Sequence, residues 1–299
     1  MIDDDHPHID YDNLPPTPTC LVPYAHQIGG HGTGHSDSSQ DYRLLLHPPT
    51  NTIFKPLQNG SRGLREAEFY LRVFAADAPP SLVDLRPFLP TFHGLYRSSA
   101  RVVYLALEDV LACLQNPSVC DLKMGTAACP PDVDAAKIRS ENAKYAHRAT
   151  VGFLLTGMKV YHEESGEYLS VPRYFGRCLD LDAVYSSGIR VFLGPNVARH
   201  PDLARAFLAR LQHMRKLLSN QCFALYCSSL LLAYSSSRLP TAPNVKTVVK
   251  LVDFAHYRSK LESQDVSGFS HGLDTLIRLL DEASCDSSQL CDPSPLSIV

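Results

Sequence analysis

The stretch Pro117-Ser118-Val119-Cys120-Asp121-Leu122-Lys123-Met124-Gly125 constrains this chain more than any other. Its residues up to Met124 read as a strand, and residues two apart on a strand point to the same side. Asp121 and Lys123 are therefore expected to project together into one cleft. An acceptor beside a cation suits phosphoryl transfer: one group handles a hydroxyl or a nucleotide, and the other neutralises γ-phosphate charge. Spacing alone leaves a second option open, a salt-bridged pair on an exposed edge strand.

A strand of this kind needs a body on each side of it. The chain has 299 residues, 44% of them hydrophobic, enough for one large core or for two lobes that share a cleft. Its formal net charge of -3 provides no global field for nucleic acid or an anionic membrane, so a basic site for a phosphorylated ligand must be local. Nine cysteines are scattered, with no Cys-x-x-Cys pair, which argues against a zinc ribbon or a secreted disulfide framework. The N-terminus is acidic without an apolar core, and the longest apolar run, Phe223 to Tyr234, is interrupted by Cys227, Ser228 and Ser229. The expected setting is the cytoplasm, the nucleus or both, without a transmembrane segment.

Along the chain, residues 1–17 read as a disordered acidic tail and 284–299 as a second flexible tail. Short strands are expected at Tyr42 to Leu46 and Thr52 to Leu57, around a Pro48-Pro49 turn. A helix follows over Leu64 to Ala76, then a compact strand over Val102 to Leu107. Ala135 to Ala149 reads as a polar, basic helix. Asp202 to Leu218 is amphipathic, with Leu203, Phe207, Leu211, Met214 and Leu218 on a core-packing stripe. Phe223 to Tyr234 and Val245 to Ala255 read as two strands, and Gly272 to Glu282 as a final helix.

Other groups carry chemistry with less specificity. The glycine-rich segment Gly29 to Ser36 nearly matches a phosphate-binding loop, but His35 replaces the lysine and no strand precedes it; a surface turn is the better reading. A metal held by His26, His31 and His35 is disfavoured because such a loop is poorly preorganised. Lys55 ends a strand, with Glu66 or Glu68 on the next helix, a pairing that kinase-type lobes use to hold nucleotide phosphates. Asp253 follows the apolar strand Val248 to Val252, where it either holds nucleotide-bound Mg²⁺ or caps a turn. Arg62, Lys137, Lys144, Lys159, Arg173 and Arg177 are spread out; they form either a basic pocket or solvated faces.

Pro117 to Gly125 matches the signature of the inositol polyphosphate kinases, and the chain resembles that family from about Val22 to about Leu280. Ser228-Ser229-Leu230-Leu231 with Tyr234, then Asp253-Phe254-Ala255-His256, then Gly272 to Ile277 resemble its later motifs in the right order. Tyr24 to His31, Lys137-Ile138, Lys144-Tyr145 and Gly152 to Tyr161 are most similar to its multikinase branch. Ser140 and Glu141 stand where that branch often has amides.

The resemblance implies an α+β fold, a two-lobed, reduced protein-kinase-like architecture with antiparallel sheets and a cleft. The catalytic domain would span 18–283, with the N-lobe reaching about residue 107. It implies an ATP- and Mg²⁺-dependent phosphotransferase with an alcohol acceptor. Inositol trisphosphate would be converted to tetrakis- and pentakisphosphate, and phosphatidylinositol bisphosphate is a further candidate acceptor. The alternatives are a hexakisphosphate kinase making pyrophosphates and a catalytically weak phosphoinositide-binding scaffold. A monomer with small-molecule substrates and no direct nucleic-acid partner is expected. By resemblance, Lys55 binds ATP phosphates with Glu66 as its partner. Glu108 and Val110 hold adenine through their backbones, and Asp253 holds Mg²⁺. Asp121 contacts ribose, the reacting hydroxyl or both, and Lys123 stabilises the transferring phosphoryl group. Arg62, Lys123, Lys137, Lys144, Lys159, Arg173 and His256 form the inositol phosphate pocket.

Overall fold

The structure is a computed structural model and describes residues 9–28, 43–219, 223–236, 245–259 and 267–285. The Gly29 to Ser36 segment lies outside these residues, as do the last residues from 286 onward. Among the described residues twelve strands form three antiparallel sheets. The first contains β1 (Val22–Pro23), β2 (Leu45–His47), β3 (Thr52–Pro56), β4 (Phe92–Arg97) and β5 (Val103–Glu108), in the order β1-β2-β3-β5-β4. The second contains β6 (Pro117–Met124), β7 (Phe153–His162), β8 (Glu167–Pro172), β10 (Ser229–Ser235) and β11 (Thr247–Val252), in the order β11-β10-β6-β7-β8. β9 (Phe223–Leu225) and β12 (Tyr257–Ser259) pair separately.

β6 lies in the middle of its sheet, between β10 and β7, so the edge-strand option for Asp121 and Lys123 is excluded. Against β10 the register is regular, with Asp121 opposite Leu231 and Lys123 opposite Ser229. Against β7 it shifts by one residue: Asp121 faces Gly157 while Leu122 faces Leu155. Such a bulge bends the strand locally and re-aims side chains. The Thr156 hydroxyl closes it by donating to the Asp121 carbonyl at 3.0 Å.

Several boundaries differ from the sequence reading. The helix after β3 runs Ser61–Val73 and buries Glu66, Ala67, Phe69, Tyr70 and Val73. The basic helix ends at Ala143 and not Ala149. It buries no residue, so packing does nothing to extend it. The apolar run from Phe223 is two strands, because Cys227 takes a left-handed backbone (φ 57°) that breaks the ladder. Within the expected N-terminal tail, Thr17 donates to the Arg97 carbonyl, the Arg97 N–H donates to the Pro15 carbonyl, and the Arg97 guanidinium holds Asp12 at 3.1 Å. Beneath the sheets, helices His200–Leu218 and Phe269–Cys285 pack together, the first burying Leu203, Phe207, Leu211 and Met214. The second crosses the start of β7 where only glycines fit: a Cβ on Gly272 would lie 2.1 Å from the Gly152 carbonyl oxygen. Among the described residues no helix is long and apolar enough to cross a membrane.

Candidate active site

A cavity of about 290 Å³ opens between the first two sheets. Its walls are apolar: Ile53 and Leu107 from the first sheet, Val119, Leu231 and Val252 from the second, with Tyr24 and Ile28 from the N-terminal segment. Lys55, Arg62, Glu108, Val110, Asp121 and Asp253 also line it. A flat apolar slot ending in charged groups suits a nucleotide, whose base needs burial and whose phosphates need cations.

Lys55 is the one residue of β3 that is not buried. Its ammonium donates to Glu66 Oε1 at 2.7 Å and ion-pairs with Asp253. Burial works against the charge on Lys55, but the Asp253 and Glu66 carboxylates outweigh it and hold the ammonium protonated, above the ordinary lysine range. Glu66 is 1% exposed, and the same Oε1 accepts the Phe254 N–H at 3.3 Å. The Phe254 ring stacks on Phe69, centroids 3.8 Å apart, so the helix bearing Glu66 also fixes the turn bearing Asp253. Asp253 has a left-handed backbone, φ 65°, which Asp and Asn tolerate better than most residues. Its carboxylate reaches across the cleft and does not merely cap a turn.

Asp121 is buried, and its Oδ1 has no hydrogen-bond partner among the described residues. Burial and then the Asp253 charge push its pKa up to about 6, against the pull of Ser229, Thr156 and Arg173. A carboxylate that titrates near neutrality can exchange a proton with a hydroxyl.

At the connection between the sheets, the Glu108 N–H donates to the Thr91 carbonyl at 2.9 Å. The Glu108 carboxylate accepts from the Thr91 N–H and hydroxyl, both at 3.0 Å. The Val110 N–H makes no hydrogen bond among the described residues. Tyr24 donates to Asp109 at 2.7 Å and closes the slot from above.

Beyond Asp121 the character changes. Burial, then the charges of Lys123, Arg258, Arg62 and Arg65, push the pKa of His256 down to about 4, so its ring is neutral at pH 7. Its Nδ1 is buried without a partner among the described residues. On the basic helix the Lys144 ammonium donates to Glu141 at 2.5 Å. That hydrogen bond, with the charges of Lys144, Lys123 and Lys137, holds Glu141 below the usual carboxylate range although burial opposes it.

Comparison with known proteins decides the family. The model of the family "Inositol polyphosphate kinase" matches residues 104–281, more than half of the chain. The chain belongs to the inositol polyphosphate kinase family. It is 35% identical over 243 residues to the rat inositol polyphosphate multikinase, covering 78% of this chain and 60% of that protein. It is 33% identical to the human multikinase over 224 residues, covering 74% of this chain and 52% of that protein. The chain thus spans between half and two thirds of the length of these relatives. The crystal structure of inositol phosphate multikinase from S. cerevisiae in complex with ADP and Mn²⁺ has a TM-score of 0.64 at 22% identity. That match covers 77% of this chain and 98% of the yeast chain, and it shows the α+β kinase-like fold.

Of the residues singled out in the sequence, Lys55, Glu66, Asp121 and Asp253 come together as one electrostatic group. Lys123 and Arg62 gather around His256 beside it, and Lys137 acts together with Lys123 on Glu141. Arg173 lies near enough to Asp121 to pull its pKa down. Lys159 differs: opposite Val119 in the register, it donates to the Ala25 carbonyl at 3.2 Å and lies over the Tyr168 ring, toward His26 and the nucleotide end. It does not join Lys123 and His256. Sequence reasoning missed the apolar jaw of Tyr24, Val119 and Leu231, whose side-chain alternation on β6 and β10 was its available signal. It also missed Arg65 and Arg258.

Proposed function

We propose that this member of the inositol polyphosphate kinase family transfers the γ-phosphate of ATP to a ring hydroxyl of inositol polyphosphates. The observation that carries this reading is the junction of two unlike half-sites at Asp121 and Lys123. An apolar slot ending in Lys55 and Asp253 lies on one side, and a cluster of cations around a neutral His256 lies on the other. A ligand bearing several phosphates requires matched cations, and charge-assisted hydrogen bonds supply affinity and orientation together.

In this reading the base lies between Ile53, Leu107, Val119 and Leu231, with the Glu108 carbonyl and the Val110 N–H as its polar contacts. Lys55, kept charged by Glu66, takes the nucleotide phosphates. Asp121 receives the proton from the attacking hydroxyl, for which its near-neutral pKa and open Oδ1 suit it. Lys123 faces the charge that develops on the transferring group. Arg62, Lys137 and His256 bind substrate phosphates, His256 as a neutral hydrogen-bond partner, and Arg173 supports Asp121.

The donor set also fits a hard divalent ion. Among the described residues no group of three or more His, Cys, Asp or Glu could hold a metal by itself. Asp253, close enough to Asp121 to raise its pKa, leaves such an ion to take its remaining ligands from phosphates and water, which is the habit of Mg²⁺. When bound, Mg²⁺ would neutralise phosphate charge. The same pocket chemistry extends to the headgroup of phosphatidylinositol bisphosphate, and soluble inositol phosphates accord with action as a monomer in cytoplasm or nucleus.

Incubation with ATP, Mg²⁺ and inositol tris- or tetrakisphosphate, followed by separation of products, tests the proposal. A product with one more phosphate is expected from each. Folded protein that yields none from either substrate sinks it.

A further inference from the structure

Four cations act on the His256 ring from three elements: Lys123 on β6, Arg62 and Arg65 on the Ser61–Val73 helix, and Arg258 on β12. Arg62 and Arg65 are three apart, hence on one side of their helix. That helix packs against β12. The reaction proposed above uses Lys123, Arg62 and His256 and leaves Arg65 and Arg258 without a task.

A carboxylate forms an ion pair with this group. Asp132, on the loop after β6, accepts from the Arg258 Nη2 through both oxygens, at 2.9 and 2.7 Å. It also acts on Arg65, whose charge is opposed by burial and then by Arg258. Two guanidiniums that repel one another thus share the influence of Asp132, while the buried Glu68 also acts on Arg65. The Asp132 side chain is 58% exposed, so the pair is screened by water and weakly held. A phosphate carries more charge than Asp132 and matches the guanidinium fork through two oxygens. It would take Asp132's place.

We propose that Arg65 and Arg258 form an additional phosphate subsite at the rim of the inositol phosphate pocket, where Asp132 stands in for the anion until substrate arrives. This inference rests on the functional reading above and deepens it. Lys123, Arg62 and Lys137 already offer cations to a trisphosphate. Two further guanidiniums gain a partner when the ring carries a further phosphate, so the subsite favours the more highly phosphorylated inositol. Asp132 sets the threshold, because any phosphate bound there must displace it.

Calorimetric binding without ATP, using inositol tris- and tetrakisphosphate, tests this on the wild type, Arg258→Ala, Arg65→Ala and Asp132→Asn. Each arginine variant is expected to weaken tetrakisphosphate binding by about tenfold and trisphosphate binding by less than about twofold. Asp132→Asn is expected to move the other way and tighten tetrakisphosphate binding. If the Arg258–Asp132 pair only pins β12 to the loop, Arg258→Ala and Asp132→Asn will shift both ligands alike, in one direction, with a lower Tm. That result overturns the subsite, as does unchanged affinity in both arginine variants. Turnover by the wild type is measured in parallel. Absence of turnover defeats the proposed reaction, whereas the affinities decide the subsite on their own.

Discussion

The two halves of the cleft hold their charges in opposite ways. In the nucleotide half the cation is already answered: Lys55 lies between Glu66 and Asp253. In the other half Lys123, Arg62, Arg65 and Arg258 crowd a histidine, and the carboxylates nearby, Asp132 and Glu141, hold Arg258 and Lys144. Under the proposed function the difference follows from ligand chemistry. A nucleotide brings its base into an apolar slot, and its metal brings positive charge, so one compensated lysine suffices. A polyphosphorylated ring brings only negative charge, so the protein must keep cations in reserve and accept their mutual repulsion.

The sharpest way to break this comparison is to remove the carboxylate that belongs to the nucleotide half. Asp253→Asn is expected to lower turnover by about a hundredfold or more, because an amide binds Mg²⁺ poorly. Asparagine tolerates the left-handed backbone, so the melting temperature should stay within a few degrees. Near-normal turnover would place the metal elsewhere.

Next in size is the inositol half. Lys137→Ala is expected to raise KM for inositol trisphosphate by about tenfold or more while leaving KM for ATP unchanged, the loss of one charge-assisted contact. Lys144→Ala should do less, since Glu141 already engages that ammonium. Equal effects on ATP and inositol phosphate would erase the boundary between the halves.

Asp121 stands on that boundary, and its environment predicts a stability effect. Its pKa is about 6 in the fold against 3.8 ordinarily, so between these values the folded state binds more protons than the unfolded chain. Stability from this group is therefore fully present below pH 3.8 and is lost as pH rises through 6. The difference of 6 − 3.8 = 2.2 pH units corresponds to about 3 kcal/mol. Asp121→Asn should raise Tm clearly at pH 8, less at pH 5, and lose activity. A Tm gain independent of pH would mean that ionisation of Asp121 is not what costs stability.

The smallest expected effect is that of Glu141→Gln. Glu141 feels Lys123 and Lys137 as well as Lys144, so its removal should lower KM for inositol phosphate by about twofold, the scale of an exposed ion pair. A rise in KM would show that Glu141 serves to position Lys144.

Much of this was legible in the sequence where one local rule decides. The bounds of β6 read from the sequence match the observed strand, Pro117–Met124. Lys55 and Asp253 stand out at strand ends, while the helix face leaves Glu66 and Glu68 open and only the family resemblance selects Glu66. Other features depend on contacts between distant segments. β7 was not read as a strand because a doubly buried apolar run lacks alternation. The observed surroundings of Lys159 do not follow from local sequence, because its neighbours, Ala25 and Tyr168, come from other segments of the chain. The expected basic helix to Ala149 is two pieces, because Ala135–Ala143 buries nothing, whereas Tyr145 and Arg148 turn inward and a new short helix starts at Arg148. Arg258 and Asp132 meet across 126 residues, a distance no motif spans.

The left-handed turn at Asp253 narrows what mutation can do there. Glutamate offers the same carboxyl group but is poorly suited to that backbone, whereas asparagine fits. In the genetic code asparagine is one base change from aspartate. A single-base substitution at this position can thus keep the fold, the slot and the basic pocket while removing the charge that would bind the ion. Descendants of such a chain have a short path from enzyme to ligand-holding decoy.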